Sequence, residues 1–244
     1  MFPMNKGFIL ARGLFRVSGD YLSFMFANKR KDTSLKLKDI YFRLFDWTAK
    51  TGFDRHYIYH TAWAARVLKR IGVKKHVDIS SSLYFSAIVS AFIKIKFYDY
   101  RPADLFLDNF ESKSDNLLKL PFKDNSIESL SCMHTLEHVG LGRYGDLIDP
   151  EGDLKAIREL IRVLEHGGDL LVVVPVGYPQ RVCFNAHRIY EPDKFINYFK
   201  KLDLVEFGLI PENEKDGGIL INPGKNVLKK QKYGCGCFWF KKKK

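Results

Sequence analysis

Residues 127–139 read Ile127-Glu128-Ser129-Leu130-Ser131-Cys132-Met133-His134-Thr135-Leu136-Glu137-His138-Val139, a short largely apolar run that stops in a polar cluster. The run predicts a strand over Ile127 to Met133. Further on, Asp169 to Pro175 contains Val172-Val173-Val174, the composition of a strand covered on both faces. Between them, Asp153 to Leu164 has helical periodicity, and Gly167-Gly168 frees the chain to turn before Leu170. Strand, helix and strand in this order make the repeating unit of a parallel α/β sheet.

The same alternation extends outward. Upstream we expect a strand at Lys75 to Ser80, a helix at Leu83 to Ile93, a strand at Lys96 to Tyr100 and a loop through Pro121. Downstream, Glu191 to Lys200 reads as a helix, Leu204 to Ile210 as a strand and Cys237 to Phe240 as a last strand. Before the first strand, Ile58, Ala62, Ala65, Leu68 and Ile71 recur at helical spacing and Gly72 supplies a C-terminal stop. The expected architecture is α/β, a Rossmann-like, doubly wound, mostly parallel sheet over residues 56–240. A basic, partly helical extension, 1–55, precedes it, and a solvated lysine tail, 241–244, follows. No internal repeat is visible.

Composition narrows the function. The 244 residues are 46% hydrophobic and 28% charged, enough to bury a core and too apolar for wholesale disorder. The formal net charge is +12, but the basic excess lies in residues 1–75 and 217–244 while the stretch between is acidic. A dedicated nucleic-acid binder concentrates its cations on the folded recognition face, so no nucleic-acid partner is expected. Basic ends suit a solvated surface or peripheral attraction to anionic lipid. Residues 8–26 fit an amphipathic helix that packs on the domain or lies on a membrane. A transmembrane helix needs about 20 mainly apolar residues, and the longest uncharged run, Ile79 to Ile93, is shorter and serine-rich. Lys6, Arg12 and Arg16 interrupt any signal-peptide core. Cys132, Cys183, Cys235 and Cys237 offer no C-x-x-C pair, and the expectation is reduced thiols in a cytoplasmic setting.

In an open parallel sheet the ligand lies beyond the carboxyl ends of the strands. Three such ends carry polar residues: Asp78-Ile79-Ser80-Ser81-Ser82, Asp99, and His134-Thr135-Leu136-Glu137-His138. A carboxylate at the second suits a ribose, because it can accept from both hydroxyls. The third also matches H-x-x-E-H, a zinc pattern. Gly140 and Gly142 would break the helix such ligands need, so no metal is expected there.

Leu120-Pro121-Phe122, Asp124-Asn125-Ser126, His134 to Val139 and Arg162-Val163-Leu164-Glu165-His166-Gly167-Gly168 resemble the central portion of class I S-adenosylmethionine-dependent methyltransferases. More narrowly, three phrases are similar to the methyltransferase-like family named domain of unknown function 268: His138-Val139-Gly140-Leu141-Gly142-Arg143-Tyr144-Gly145-Asp146, then Asp149 to Lys155, then Gln180 to Arg188. The likeness runs from about Tyr57 to about Tyr190. It implies S-adenosylmethionine as cofactor, with Asp78, Ser80 and Ser82 at its methionine part, Asp99 at the ribose, Asp115 and Asn116 at the adenine edge, and His134 beside them. The superfamily's D-x-G-x-G-x-G loop is altered here: Ser80, Ser82 and Tyr84 stand at the glycine positions.

Methyl transfer to a hydroxyl needs a base beside the acceptor. His138 and His187 are the candidates, with Glu137 and Asp146 as supporting carboxylates. Arg143, Tyr144, Asp149 and Asn185 would bind a small polar acceptor, a sugar or sugar nucleotide of surface-polysaccharide biosynthesis. The rival expectation is a non-catalytic binding or assembly module that has lost the cofactor. The first loop separates the two: an open cleft above Asp78 and Asp99 favours the enzyme, and a cleft filled by Tyr84 favours the module.

Overall fold

Helix α1 (Lys6–Ala27) opens the computed structural model, which describes residues 6–244 except 31 and 34. The chain divides into two compact units between Phe53 and Asp54. In the first, α1 brings Gly13 against Leu44, whose Cβ lies 3.0 Å from where a side chain at Gly13 would begin. The Arg16 guanidinium sits 4.9 Å from the centre of the Trp47 ring. Phe8, Phe15, Phe24 and Phe26, the apolar residues expected of an amphipathic helix, are exposed.

The second unit begins with α2 (Arg55–Ile71), β1 (Lys75–Ile79), α3 (Leu83–Val89), β2 (Lys94–Asp99), β3 (Phe110–Ser114) and β4 (Ile127–Met133). It continues with α4 (Gly152–Val163), β5 (Leu164–Val176), β6 (Arg181–Cys183), β7 (His187–Ile189) and α5 (Pro192–Tyr198). It ends with β8 (Leu202–Ile210), β9 (Leu220–Ile221), α6 (Lys225–Lys229) and β10 (Gly234–Lys242). Eight strands form one sheet in the order β3-β2-β1-β4-β5-β10-β8-β9, and β6 and β7 pair apart from it. Strands β1 to β5 run parallel, and β10 enters antiparallel between β5 and β8.

Alternation along β5 shows why the valine run reads as a doubly covered strand. Leu170, Val172, Val174 and Val176 enter a core with Ala156, Ile157 and Leu160 of α4 and Phe195 of α5. Leu171 and Val173 enter the opposite core, with Trp63 and Val67 of α2 and Phe85 and Val89 of α3. Each fully buried valine contributes roughly 1.5–3 kcal/mol against exposure. Strand β10 alternates in the same way, sending Phe238 and Phe240 to the first core and Cys235 and Cys237 to the second.

Several sequence boundaries need correction. Helix α2 is capped by Asp54, whose carboxylate accepts from the Tyr57 N–H at 3.1 Å, and ends at Gly72 with φ 75°. Its buried face, however, is His60, Trp63, Ala64, Val67 and Leu68, one step round from the expected stripe. Trp63 decides the phase. Its indole N–H donates to Glu206 at 2.7 Å, and Arg70 grips the same carboxylate with two bonds of 2.8 and 2.9 Å. Strand β3 replaces part of the expected loop, and α3 ends at Val89, letting β2 start at Lys94. Strand β5 begins at Leu164, before the glycine pair. Within it Gly167 takes φ 79°, and a Cβ on Gly168 would crowd backbone oxygens of Glu165, Glu128 and Ile127 at 2.9–3.1 Å. The lysine tail is part structure: Lys241 and Lys242 belong to β10. Lys241 pairs with Asp169 at 2.9 Å, and Lys242 donates to the carbonyls of Ile161 and Leu164 at the end of α4.

Candidate functional site

Where β1, β2 and β4 end, the chain leaves a cleft of about 310 Å³. Ser80, Asp99, Asp115, Asn116, His134, His138, Tyr144 and Asp146, all singled out from sequence, line it. Tyr98, Tyr100, Arg101, Leu117, Leu118 and Leu120 join them and give the cleft a largely apolar floor. The loop after β1 is pinned on two sides: the Ser80 N–H donates to the Tyr98 carbonyl at 2.7 Å, and Thr135 Oγ1 donates to the Ser80 carbonyl at 2.9 Å. Ser80 takes φ 53°, the left-handed conformation that glycine favours. Tyr84 does not line the cleft: it is 82% exposed.

Asp78 is fully buried beneath this loop and does not reach the cleft, so its expected contact with a cofactor is corrected to a supporting role. It accepts from Ser131 Oγ at 2.5 Å and, by a short bond, from Ser86 Oγ. Burial raises its pKa to about 6 against these hydroxyls. Because Ser131 spends its proton on Asp78, it must accept from His76 Nε2, 2.8 Å away. His76 Nδ1 then accepts from Ser129 at 2.7 Å. Burial keeps this imidazole neutral, with a pKa of about 3. Ser82 stands at the N-terminus of α3 and makes no capping bond with its side chain.

At the end of β4, His134 has φ 56°, and its N–H donates to the Val173 carbonyl at 2.8 Å. A turn of 3₁₀ helix, Leu136–His138, follows and sets Glu137 between two histidines. Glu137 Oε1 is 2.8 Å from His134 Nδ1 and 3.9 Å from His138 Nε2. Burial pushes the Glu137 pKa to about 7. His138 Nδ1 lies 2.7 Å from the Ala186 carbonyl, which can only accept, so that nitrogen carries the hydrogen. Its Nε2 therefore holds the lone pair, and burial lowers its pKa. His187 is off the cleft, 6.5 Å from His138 ring to ring.

The glycine-rich loop is tightly self-packed. Gly140, Gly142 and Gly145 have φ of 78°, 70° and 84°. Asp146 holds it closed, accepting from the Gly140 N–H at 2.7 Å and the Tyr144 N–H at 3.2 Å. Asp149 is engaged by Lys155 at 2.6 Å, which holds its pKa low, and does not line the cleft. Asp153 is buried against the Tyr190 hydroxyl at 2.9 Å. Asn185 is exposed between β6 and β7, away from the cleft. Tyr144 remains at the rim, with the guanidiniums of Arg101 and Arg143 at 4.6 and 5.1 Å from its ring centre. Arg143 also donates to the Ala186 carbonyl at 2.9 Å.

Residues that the motifs did not include surround His134. Its ring centre lies 5.7 Å from that of His56, 5.2 Å from Tyr57 and 5.0 Å from His60. Cys235 Sγ is 3.5 Å from its Nε2. The i, i+4 spacing of His56 and His60 on α2 was the available signal; Cys235 gave none.

The family described as "Caenorhabditis protein of unknown function, DUF268" matches residues 108–208. The matched segment runs from the loop before β3 into β8 and includes the glycine-rich loop. An uncharacterised protein of Methanocaldococcus jannaschii is 41% identical over 59 residues, 24% of this chain and 21% of that one. The match thus spans about a fifth of that relative's length. The Burkholderia thailandensis 1,6-didemethyltoxoflavin-N1-methyltransferase, solved with bound 1,6-didemethyltoxoflavin and S-adenosylhomocysteine, superposes with a TM-score of 0.57. It is 10% identical over 76% of this chain and 79% of its own. The N-methyltransferase NodS of Bradyrhizobium japonicum, solved with S-adenosylhomocysteine, gives 0.55 at 12% identity, covering 77% of this chain and 87% of its own. The matched segment is therefore set within the fold of class I S-adenosylmethionine-dependent methyltransferases.

Proposed function

We propose that the protein is an S-adenosylmethionine-dependent methyltransferase acting on a small polar acceptor, a sugar or sugar nucleotide of surface-polysaccharide assembly. One observation carries the reading: the cleft beyond β1, β2 and β4 is open although its glycines are replaced, because Tyr84 turns outward.

The donor set suits the cofactor. Asp99 ends β2 at the place for a ribose, with one oxygen accepting the Arg101 N–H at 2.7 Å. Asp115 and Asn116 line the cleft together with Leu117, Leu118 and Leu120, and polar groups beside apolar ones suit an adenine ring. Ser80 borders the first strand end, and His134 and Thr135 the third. Bound there, S-adenosylmethionine would supply an activated methyl group to a nucleophile approaching in line. His138 offers the Nε2 lone pair to an acceptor hydroxyl, and Glu137, 3.9 Å away, favours the imidazolium once the proton arrives. Arg101 and Arg143 at the Tyr144 rim favour an acceptor carrying phosphate.

The test is calorimetry with S-adenosylmethionine and S-adenosylhomocysteine on the full chain. Binding that falls at least tenfold in Asp99→Ala, with a matching loss of ligand-induced thermal shift, supports the reading. Flat titrations of the folded wild type return the protein to the non-catalytic module.

A further inference from the structure

Three ligand-type groups converge at His134: the imidazoles of His56 and His134 and the thiol of Cys235, with a donor atom from each lying within 4.8 Å of the others. They come from α2, the end of β4 and the start of β10, elements fixed by the second core. We propose that His56, His134 and Cys235 form a binding site for one zinc-type divalent cation. The site goes beyond the methyltransferase reading and does not depend on it.

Spacing is the first support. Zinc bonds of about 2.0–2.1 Å to nitrogen and 2.3 Å to sulfur at a tetrahedral angle hold the two ligand atoms roughly 3.6 Å apart. His134 Nε2 and Cys235 Sγ are 3.5 Å apart.

Ligand orientation is the second. With Glu137 ionised, its Oε1, 2.8 Å from His134 Nδ1, can only accept, so the ring hydrogen is on Nδ1. The Nε2 lone pair is left facing the thiol. Carboxylate, imidazole and metal in that order is how proteins fix the tautomer of a ligating histidine. The left-handed backbone of His134 is the strain expected where a side chain is aimed for a purpose.

A third observation lies alongside. His60 Nδ1 is 2.6 Å from the His56 carbonyl and carries the hydrogen, so its Nε2 is a bare lone pair. That nitrogen is buried with no partner among the described residues. A buried cluster that sets imidazole lone pairs beside a thiol is costly unless a proton or a cation receives them.

On binding, the Cys235 S–H bond breaks, a sulfur–metal bond forms and the proton leaves to solvent, with no change of oxidation state. Three protein ligands leave the fourth tetrahedral position to water or to an oxygen of an incoming molecule. His134 also lines the cleft, so the cation would share a ligand with the acceptor chamber.

The experiment is titration of the chelator-treated full chain with cobalt(II) chloride, followed by absorption. We expect a thiolate-to-cobalt charge-transfer band and tetrahedral ligand-field bands, saturating at one cobalt per chain and abolished by zinc. Cys235→Ser should lose the charge-transfer band, Cys183→Ser should keep it, and Glu137→Gln should weaken affinity by about 10–100-fold. No band in natively folded wild type, or a band retained in Cys235→Ser, overturns the proposal. If Cys235→Ser fails to fold, His56→Gln decides: unchanged cobalt affinity overturns the site and a loss of tenfold or more supports it. Calorimetry with S-adenosylmethionine reads the cleft and the cobalt spectrum reads this cluster, so each reading fails independently.

Discussion

His76 and Asp78 share one hydroxyl, that of Ser131, which donates to the carboxylate at 2.5 Å and accepts from the imidazole at 2.8 Å. Both groups are fully buried, and burial moves them in opposite directions: His76 falls to about 3 and Asp78 rises to about 6. In the unfolded chain at pH 5 the imidazole holds the proton and the carboxylate does not. Folding exchanges them, so the pair carries one proton in both states.

Between pH 4 and 6 the two contributions therefore cancel, and single variants unmask them. Asp78→Asn leaves His76, whose depressed folded pKa gives stability present above about 6.5 and lost as pH falls toward 3. His76→Gln leaves Asp78, whose raised folded pKa gives stability present below about 4 and lost as pH rises through 6. Relative to wild type, Asp78→Asn should lose about 1.4 kcal/mol per pH unit on acidification, and His76→Gln should gain about as much. Urea unfolding at pH 6, 5 and 4 reads this directly. Parallel slopes in all three proteins would refute the shared-proton account. Ser129, Ser131 and Ser86 face the pair as neutral hydroxyls, and Asp99 adds a weak upward push on Asp78.

Two glycines of the loop should respond very differently to alanine. A Cβ on Gly140 would meet the Asp149 carbonyl oxygen at 2.1 Å, whereas one on Gly145 meets nothing within 4 Å. Both have positive φ. Gly145→Ala should cost only the conformational strain, about 1 kcal/mol. Gly140→Ala must also displace backbone and should cost about 3 kcal/mol or more. Melting curves check it: with about 2–4 °C per kcal/mol for a chain of this size, the second drop should be severalfold larger. Equal drops would mean that the loop relaxes freely.

The two candidate bases should separate kinetically once an acceptor is in hand. His138 lines the cleft with its Nε2 lone pair available, while His187 lies outside it. His138→Gln should lower kcat by about 10²–10⁴-fold with S-adenosylmethionine affinity retained. His187→Gln should change kcat by severalfold at most. Equal losses would remove His138 from the role of base.

Lys242 offers a stability test away from the cleft. Its ammonium donates to the Leu164 and Ile161 carbonyls at 2.8 and 2.6 Å, occupying carbonyls at the C-terminal end of α4. Lys242→Met should destabilise by about 1–2 kcal/mol, and Lys244→Met by next to nothing, measured by urea unfolding.

Much of this architecture is legible in the sequence because parallel strands buried on both faces cannot hide: Val172-Val173-Val174 and Ile127 to Met133 are apolar wherever they lie. Strand β3 is not legible because Phe110-Glu111-Ser112-Lys113-Ser114 sits at the sheet edge, where polar alternation is tolerated. Strand β10 is only half legible, since Gly234-Cys235-Gly236-Cys237 has the composition of a loop. It is a strand because Gly236 leaves room for Val176 and Phe238, whose side chains lie 2.7 Å from where its Cβ would be. Within the site, strand ends announced Asp99, Ser80 and His134. They could not announce Asp78 as a buried strut or Asp149 as a partner of Lys155, because both facts depend on which way a side chain turns.

Strand β10 is inserted between β5 and β8 rather than added at a margin. On a ribosome, β5 and β8 emerge well before it, each with a naked edge and with Val172, Val174 and Phe207 only partly covered. The nascent domain must therefore wait, sticky and unsealed, for β10 to thread home, and a stop codon shortly before Gly234 would leave a gap through the middle of the sheet.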